Sequence, residues 1–352
     1  MQLGSLYTAT NNVHLHPAVL ALGLQYADMS IRGANSRCTA MLRTFQTVIQ
    51  DHEFDPNSKD FRQDLENKIL KPAFTYWTTQ CRPHSVTMGN AFTFLKLAVA
   101  NLDRDMDIGQ VKEDLCDSID AYIQERIEFA DKAICKHASK KIVDGDVILT
   151  YAKNEVIQQI LTSVKKNSDK QFRVILVDSR PMLDGKDMLE ILNKAGIECS
   201  YIMFNAVSYV MKEVTKVFLG ASALMSDGSI FSRVGTAGVA LIARNYNVPV
   251  LVCTETYKIS HRVQMESITG NELGNPNELI SNSCTTESES SLLQNWREDP
   301  NLRLLNPIFD LTPCEFVSGI VTEMGILPPT SVAVLLREMN PQDGSFRLED
   351  MV

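Results

Sequence analysis

The stretch that decides the fold runs Gly220-Ala-Ser-Ala-Leu-Met-Ser-Asp-Gly-Ser-Ile-Phe-Ser-Arg-Val-Gly-Thr236. An apolar run at residues 217–219 leads into it, and an apolar, helix-like segment at residues 237–243 follows it. Strand, polar glycine-rich loop and helix is the order of a βα turn, which in an open parallel sheet lies where ligands bind. Thr236 is expected to cap the helix, whose N-terminus is then a potential anion site. An ordinary connection without a ligand is the alternative interpretation.

The second half of the chain alternates between short apolar runs and helical periodicity. Apolar or β-branched runs predict strands at residues 147–150, 174–177, 202–204, 217–219 and 248–252. Helical spacing at residues 156–164 and 188–192 separates the first three of them. Strands that alternate with helices indicate βαβ units, and therefore a Rossmann-like domain with a mostly parallel sheet.

Three further predictions concern the C-terminal part. Residues 270–300 are rich in Asn, Ser, Glu and Gly, which predicts a long mobile loop. Thr312-Pro-Cys-Glu315 has the composition of a helix start, and Gly325 suits the end of that helix. Residues 331–336 are predicted to form a last strand.

The first part of the chain has a different pattern. Residues 1–16 show little periodicity and are expected to be a flexible N-terminus. Cys38, Met41, Leu42 and Phe45 then recur at helical spacing, and such spacing continues to residue 134. We therefore predict the α/β class, with an N-terminal all-helical domain at residues 17–141 and the Rossmann-like domain at residues 142–352.

Composition limits the possible functions. The 352 residues are 44% hydrophobic and 22% charged, and the formal net charge is −9. This acidic balance argues against direct binding of nucleic acid, because phosphates are neutralised by clustered Lys and Arg. The eight cysteines form no CxxC pair and the six histidines lack ligand spacing with them, so we expect no metal and no cofactor. No signal peptide or membrane-spanning run is recognised, which predicts a soluble, cytosolic protein with no membrane partner.

Neither a GxGxxG motif, a Walker loop nor a GxSxG elbow occurs in the sequence, which leaves three polar patches in predicted loops. They are Arg32-Gly-Ala34 with Arg37, Asp178-Ser-Arg-Pro181, and the Gly220 stretch with Asp227 and Arg233. The second and third should lie at one edge of the sheet, where Arg180, Arg233 and a helix N-terminus could hold a phosphate. Structural ion pairs of both arginines with Asp178 or Asp227 are an equally open alternative.

Several stretches resemble the group that contains methylthioribose-1-phosphate isomerases, ribose-1,5-bisphosphate isomerases and the regulatory subunits of eukaryotic translation initiation factor 2B. They are Ile31-Arg-Gly-Ala34, Asp178-Ser-Arg-Pro181, Ser232-Arg-Val-Gly-Thr-Ala237, Asn247-Val-Pro-Val-Leu-Val-Cys253 and Glu255-Thr-Tyr-Lys258. Among these proteins the sequence is most similar to the delta subunits, and the resemblance extends from about Pro17 to Leu336. It implies a vestigial phosphate pocket formed by Arg32, Arg180, Gly220, Asp227, Arg233, Gly235 and Thr236.

Two positions depart from the isomerase pattern. The resemblance places the isomerases' cysteine at Ala152 and the aspartate of their Gly-Ala-Asp sequence at Ser222. Isomerisation of a sugar phosphate moves a proton between carbons and needs groups that give and take it. Alanine offers none, so the resemblance implies a protein without catalytic residues.

The resemblance also implies partners. They are the alpha, beta, gamma and epsilon subunits of initiation factor 2B in a hetero-decamer, and initiation factor 2 with its phosphorylated alpha subunit. The expected role is regulation of GDP/GTP exchange on initiation factor 2, including its inhibition by the phosphorylated form. The delta subunits' long N-terminal extension is missing, as in a short isoform, a fragment or a lineage variant. A sugar-phosphate or nucleotide-sensing module and an active sugar-phosphate isomerase are the alternatives.

Overall fold

The computed structural model describes residues 15–54, 60–264, 266–280, 293 and 295–338. The chain divides into two compact units, Met1–Ala130 and Asp131–Val352. Residues 1–14 of the predicted flexible N-terminus lie outside the described residues, as do residues 281–292 and 294 of the predicted loop. No helix in the described ranges is long and apolar enough to cross a membrane.

The first unit is helical throughout its described part, as predicted. Its α-helices are α1 (Pro17–Ala27), α2 (Ala34–Asp51), α3 (Phe61–Asp64), α4 (Lys71–Tyr76), α5 (Val86–Asn101) and α6 (Ile108–Ile123). Leu65–Leu70, Trp77–Cys81 and Gln124–Phe129 are π-helical segments next to them. Trp77 anchors the core: its Nε1 donates to the Val19 carbonyl at 2.8 Å, and its ring meets Tyr26 and Phe45 edge-on.

The second unit contains a seven-stranded sheet in the order β11-β10-β7-β4-β1-β2-β3. Its strands are β1 (Val147–Tyr151), β2 (Arg173–Asp178), β3 (Glu198–Met203), β4 (Lys216–Gly220), β7 (Val250–Cys253), β10 (Gly319–Thr322) and β11 (Gly325–Leu327). All neighbours are parallel except β10 and β11. The predicted mostly parallel sheet is therefore confirmed.

Helices connect and cover these strands. They are α7 (Ala130–Ser139), α8 (Glu155–Asn167), α9 (Gly185–Lys194), α10 (Val207–Val210), α11 (Thr236–Asn245) and α12 (Val332–Glu338). Because successive side chains of a strand point to opposite faces of the sheet, consecutive residues belong to different hydrophobic clusters. Leu149 packs with Val177 in one cluster, whereas Ile148 packs with Leu176 and Phe218 in another.

Helix α7 belongs to the second unit, although the change of periodicity predicts a domain boundary after residue 141. Ile134, Ala138 and Ile142 are fully buried and pack in the same cluster as Ile148 and Val156. The helical spacing of α7 continues the pattern of the helices before it, so periodicity alone does not mark the point where the packing partner changes.

A second, four-stranded sheet corrects the prediction of a single loop between Gly220 and Thr236. It has the order β8-β5-β6-β9, with β5 (Ala223–Met225), β6 (Ile230–Arg233), β8 (Ile259–Ser260) and β9 (Phe309–Thr312). Strands β5 and β6 form an antiparallel pair whose turn contains Asp227 and Gly228, the latter at φ 82°. Asp-Gly between apolar residues is a strong hairpin signal.

Two C-terminal predictions are wrong. The helix expected from Thr312 to Gly325 is instead strand, short 3₁₀ turn and a second strand, because Ile320 and Val321 pair with the buried strand β7. Gly325, at φ 126°, begins the edge strand of the β10–β11 hairpin. The strand expected at residues 331–336 is helix α12, which follows a 3₁₀ turn that starts at Pro329.

Candidate functional site

The candidate site lies at the carboxyl ends of β1, β2 and β4, which are neighbours in the sheet. Ala152 follows β1 with φ 54°, and it is buried. Its backbone N–H donates to the Val177 carbonyl at 2.8 Å. A methyl group therefore lies at the position to which the sequence resemblance assigns the isomerases' cysteine.

Gly220 ends β4 against the start of α8. A Cβ on Gly220 would overlap the side chain of Asn154. That side chain caps α8, since its Oδ1 accepts the Ile157 backbone N–H at 3.0 Å. Ser222 follows, partly buried, with its backbone N–H donated to the Phe231 carbonyl at 3.0 Å. Gly220 is thus required by close packing within the unit.

Tyr151 joins β1 to the turn before α11. Its hydroxyl lies 2.6 Å from the Ser179 Oγ and donates to the Val234 carbonyl. Burial raises the pKa of Tyr151 to about 12. A Cβ on Gly235 would overlap the same hydroxyl, so this tyrosine fixes the path of the turn.

The N-terminus of α11 already holds an anion that the protein itself supplies. The Asp310 Oδ2 accepts the backbone N–H groups of Gly235 at 2.7 Å and Ala237 at 3.0 Å. Burial outweighs these two hydrogen bonds and raises the Asp310 pKa to about 6. Thr236 is the first residue of α11 and therefore not the predicted cap. Its Oγ1 donates to the Arg233 carbonyl at 2.6 Å.

The two arginines of the predicted pocket do come together. Arg180 and Arg233 line one cavity of about 10 Å³, which is room for about one water molecule. Arg233 forms an ion pair of 2.8 Å with Asp184. The sequence leaves open whether Arg233 binds a phosphate or forms a structural ion pair. The structure contains an ion pair, but its carboxylate comes from Asp184 and not from Asp178 or Asp227.

The predicted acidic partners have other contacts. Asp178 accepts the Ser179 backbone N–H and the Tyr201 hydroxyl, both at 2.9 Å, and burial raises its pKa. Asp227 accepts the backbone N–H of Ser229 at 3.0 Å and its hydroxyl at 2.9 Å. The Asp227 carboxylate therefore stabilises the hairpin turn.

The first predicted patch lies in the helical unit. Arg32 is exposed, and its Nε donates to the Met29 carbonyl at 2.9 Å. Arg37 is buried in the same unit, where its Nη2 donates to the Pro83 carbonyl at 2.6 Å. Within that unit, Arg37 is a structural residue.

A buried charged cluster near the candidate site has no counterpart in the sequence predictions. Lys258 Nζ lies 2.7 Å from the Glu255 Oε2 and donates to the carbonyl of Ala221, the residue before Ser222. Glu323 accepts the Thr256 backbone N–H at 3.0 Å. The sequence does contain a signal for this cluster. Glu255 and Lys258 follow the apolar run predicted as a strand at residues 248–252, and residues that follow a buried strand lie at its carboxyl end.

The similarities to other proteins fit this architecture. The family model described as the initiation factor 2 subunit family matches residues 30–329. The chain belongs to the initiation factor 2 subunit family. It is 44% identical to the translation initiation factor eIF2B subunit delta of Dictyostelium discoideum over 92% of its own length. The match spans 51% of that relative, so the chain corresponds to about half of it.

Two further similarities are to an enzyme and to a solved assembly. The ribose 1,5-bisphosphate isomerase of Thermococcus kodakarensis is 28% identical over 91% of this chain and 94% of the isomerase. The crystal structure of the tetrameric eIF2B-beta2-delta2 complex from C. thermophilum superimposes with a TM-score of 0.77 at 30% identity. That match covers 88% of this chain and 92% of the other. The similarity to delta subunits that the sequence motifs indicate is thus confirmed.

Proposed function

We propose that the chain is a non-catalytic regulatory subunit of the exchange factor that promotes GDP/GTP exchange on translation initiation factor 2. Similarity to eIF2B subunit delta supports the role, and the likeness to the beta2-delta2 complex supports assembly with related subunits. Its partners would be the alpha, beta, gamma and epsilon subunits and initiation factor 2, including the phosphorylated alpha subunit. The compartment would be the cytosol.

One observation carries the non-catalytic part of the proposal. The resemblance assigns the isomerases' cysteine and aspartate to two positions that Ala152 and Ser222 occupy in this chain. The buried methyl of Ala152 cannot transfer a proton, and proton transfer between carbons is the core of the isomerase reaction. Asp310 also occupies the helix N-terminus at which the sequence predicts a potential anion site.

The decisive experiment measures GDP release from initiation factor 2 by the reconstituted complex, with and without this chain. Unphosphorylated and phosphorylated forms of initiation factor 2 are compared. We expect omission of the chain to weaken assembly or to abolish inhibition by the phosphorylated form. Unchanged assembly, exchange rate and inhibition would show that the regulatory role is wrong.

The proposed absence of isomerase activity is tested separately with the pure chain and ribose 1,5-bisphosphate. We expect no turnover above the rate without protein. Turnover that disappears in an Arg233→Ala variant would reinstate the isomerase alternative, because Arg233 lines the cavity without being a proton-transfer group.

A second candidate function is sensing of a sugar phosphate or nucleotide without reaction, which the shared cavity of Arg180 and Arg233 favours. Binding would require the Arg233–Asp184 ion pair to open, since the cavity holds only about one water molecule. Isothermal titration calorimetry with ribose 1,5-bisphosphate, GMP and inorganic phosphate tests this. Absence of heat with all three excludes the candidate.

A further inference from the structure

Six lysines of the second unit surround the C-terminal ends of α7 and α8, and we call them the basic surface: Lys136, Lys140, Lys141, Lys165, Lys166 and Lys170. Hydrogen bonds hold the two helix ends together. Lys170 Nζ donates to the carbonyls of Ser139 at 3.2 Å and Ile142 at 2.8 Å. Gly145 N–H donates to the Gln171 carbonyl at 2.7 Å. These hydrogen bonds place Lys170, just after α8, beside the C-terminal end of α7.

Charge on this surface is not balanced locally. Four of its lysines are exposed and form no ion pair with any residue that the structure describes: Lys136, Lys140, Lys141 and Lys166. The exposed carboxylates nearby are Asp144, Asp169 and Glu198, the last of which lines a neighbouring cavity together with Lys165. Asp146 is buried and committed to Lys216, at 2.6 Å. A positive patch of this kind contrasts with the net charge of −9 of the whole chain.

Helix dipoles account for part of the pattern. Lysines in the last turn of a helix interact favourably with its C-terminal carbonyls. Lys136 and Lys165 lie in such turns. Lys140 and Lys141 follow the last residue of α7, and Lys170 already donates to the Ser139 carbonyl. Stabilisation of the helix C-termini therefore does not account for the positive charges of Lys140 and Lys141.

We propose that the basic surface docks an acidic segment of a partner protein. Its cations are lysines with separate ammonium groups, and Arg173 at its edge is already paired with Glu213 at 2.6 Å. Each ammonium group can pair with one carboxylate of an acidic segment. Charge complementarity across an interface also accelerates the association of two proteins. The neighbouring cavity of about 280 Å³ is lined by Val147 and Phe172 but also by Asp146 and Glu198, so it offers space for an uncharged side chain of the docked segment.

Nucleic acid fits this surface less well. Single strands are held by stacking on exposed aromatic rings, and the aromatic side chain beside these lysines, Phe172, is buried. The carboxylates of Asp144 and Asp169 would also face a continuous row of phosphates. An acidic protein segment can place neutral residues opposite them.

The test compares two charge reversals of equal size in the full chain. The variant Lys140→Glu/Lys141→Glu changes the basic surface, and Lys186→Glu/Lys212→Glu changes two exposed lysines elsewhere in the second unit. The probes are a fluorescein-labelled peptide of alternating Glu and Ser and an equally long labelled oligouridylate. Binding is measured by fluorescence anisotropy at low and physiological ionic strength.

We expect the peptide to bind the unmodified chain, and more weakly as salt rises. The Lys140→Glu/Lys141→Glu variant should bind about tenfold more weakly, because two exposed pairs are lost and two repulsions are added. The control variant should stay within about twofold of the unmodified chain. Unchanged melting temperatures of both variants verify that the fold is intact.

Three outcomes would overturn the proposal. The first is equal weakening by both variants, which indicates a response to net charge only. The second is tighter binding of the oligouridylate that depends on Lys140 and Lys141, which makes the surface a nucleic-acid site. The third is no binding of the peptide at low ionic strength.

Discussion

Asp131 is a titratable residue of the buried charged cluster in the second unit. It lies near Glu255, which is fully buried, and the facing cation Lys258 already pairs with that glutamate at 2.7 Å. Burial, with the additional effect of Glu255, raises the pKa of Asp131 to about 8. Glu155 adds to this shift. The folded chain therefore holds a proton at the Asp131–Glu255 pair at pH values where the Asp131 carboxyl of an unfolded chain has lost it.

This raised pKa predicts a pH-dependent stability. A carboxyl group with a higher pKa in the folded state stabilises the fold at low pH, and the contribution is lost as pH rises from about 4 toward about 8. The free energy of unfolding should fall by up to about 1.4 kcal/mol per pH unit between pH 6 and 8. Asp131→Asn removes the titration, and urea unfolding at several pH values should then show a shallower slope. The exposed control Asp169→Asn should keep the original slope; the same slope in Asp131→Asn would refute the assignment.

Asp310 gives a second prediction at the residue scale. Asp310→Ala removes the acceptor of two backbone N–H groups at the start of α11 and should destabilise the chain by about 1–2 kcal/mol. The exposed N–H groups should then bind an added anion. Inorganic phosphate is expected to raise the melting temperature of Asp310→Ala more than that of the unmodified chain. Asp227→Ala, which changes a carboxylate of the β5–β6 turn, is the control; an equal phosphate effect in both variants would contradict the prediction.

The turn between β6 and α11 depends on glycine at one position. Gly235 has φ 104°, and a Cβ there would overlap the Tyr151 hydroxyl. Gly145 also has a positive φ, 80°, but a Cβ there meets nothing within 4 Å. Positive φ costs a non-glycine residue about 1–2 kcal/mol, and overpacking adds about 1–3 kcal/mol.

Gly235→Ala should therefore lower the free energy of unfolding by at least about 2 kcal/mol, and Gly145→Ala by about 1–2 kcal/mol. Denaturant titration of both variants measures the difference. Equal losses would show that the conformation, and not the contact with Tyr151, sets the requirement for glycine in this turn.

The order of strands and helices in the sheet could be predicted because each parallel strand is buried and reads as an apolar run. Strands β1, β2 and β4 lie where those runs indicate. The C-terminal region could not, because Thr312-Pro-Cys-Glu315 has the local chemistry of a helix start. Thr312 instead pairs with Ile230 of β6, and residues 319–321 pair with β7. Tertiary pairing overrides local preference in such segments.

The candidate site was predictable only in part, for a similar reason. Strand topology predicts that Arg180 and Arg233 lie at one edge, and the structure places both on one cavity. The partner of Arg233 is Asp184, and the carboxylate at α11 comes from Asp310 on another strand. These contacting residues are far apart in the sequence, and no pattern of residue spacing predicts contacts of that kind.

At the scale of the whole molecule, α7 marks the start of the second unit. The two hydrophobic clusters of the second unit draw only on residues 134–336. Ile134 and Ala138 are fully buried, and Ser139 accepts a hydrogen bond from Lys170. A fragment that begins at residue 131 keeps these interactions, whereas one that begins at residue 142 loses them.

The fragment 131–352 should therefore unfold in one cooperative transition, and the fragment 142–352 should be less stable by at least about 3 kcal/mol. The estimate follows from the loss of one buried isoleucine, which alone costs about 2–5 kcal/mol when replaced by alanine, together with the burial of Ala138. Urea unfolding followed by circular dichroism measures both fragments. Ile134→Ala in the full chain is the matched control and should cost about 2–5 kcal/mol. If 142–352 is as stable as 131–352, α7 contributes nothing to the core of the second unit, and the boundary lies at residue 141, where the periodicity of the sequence predicts it.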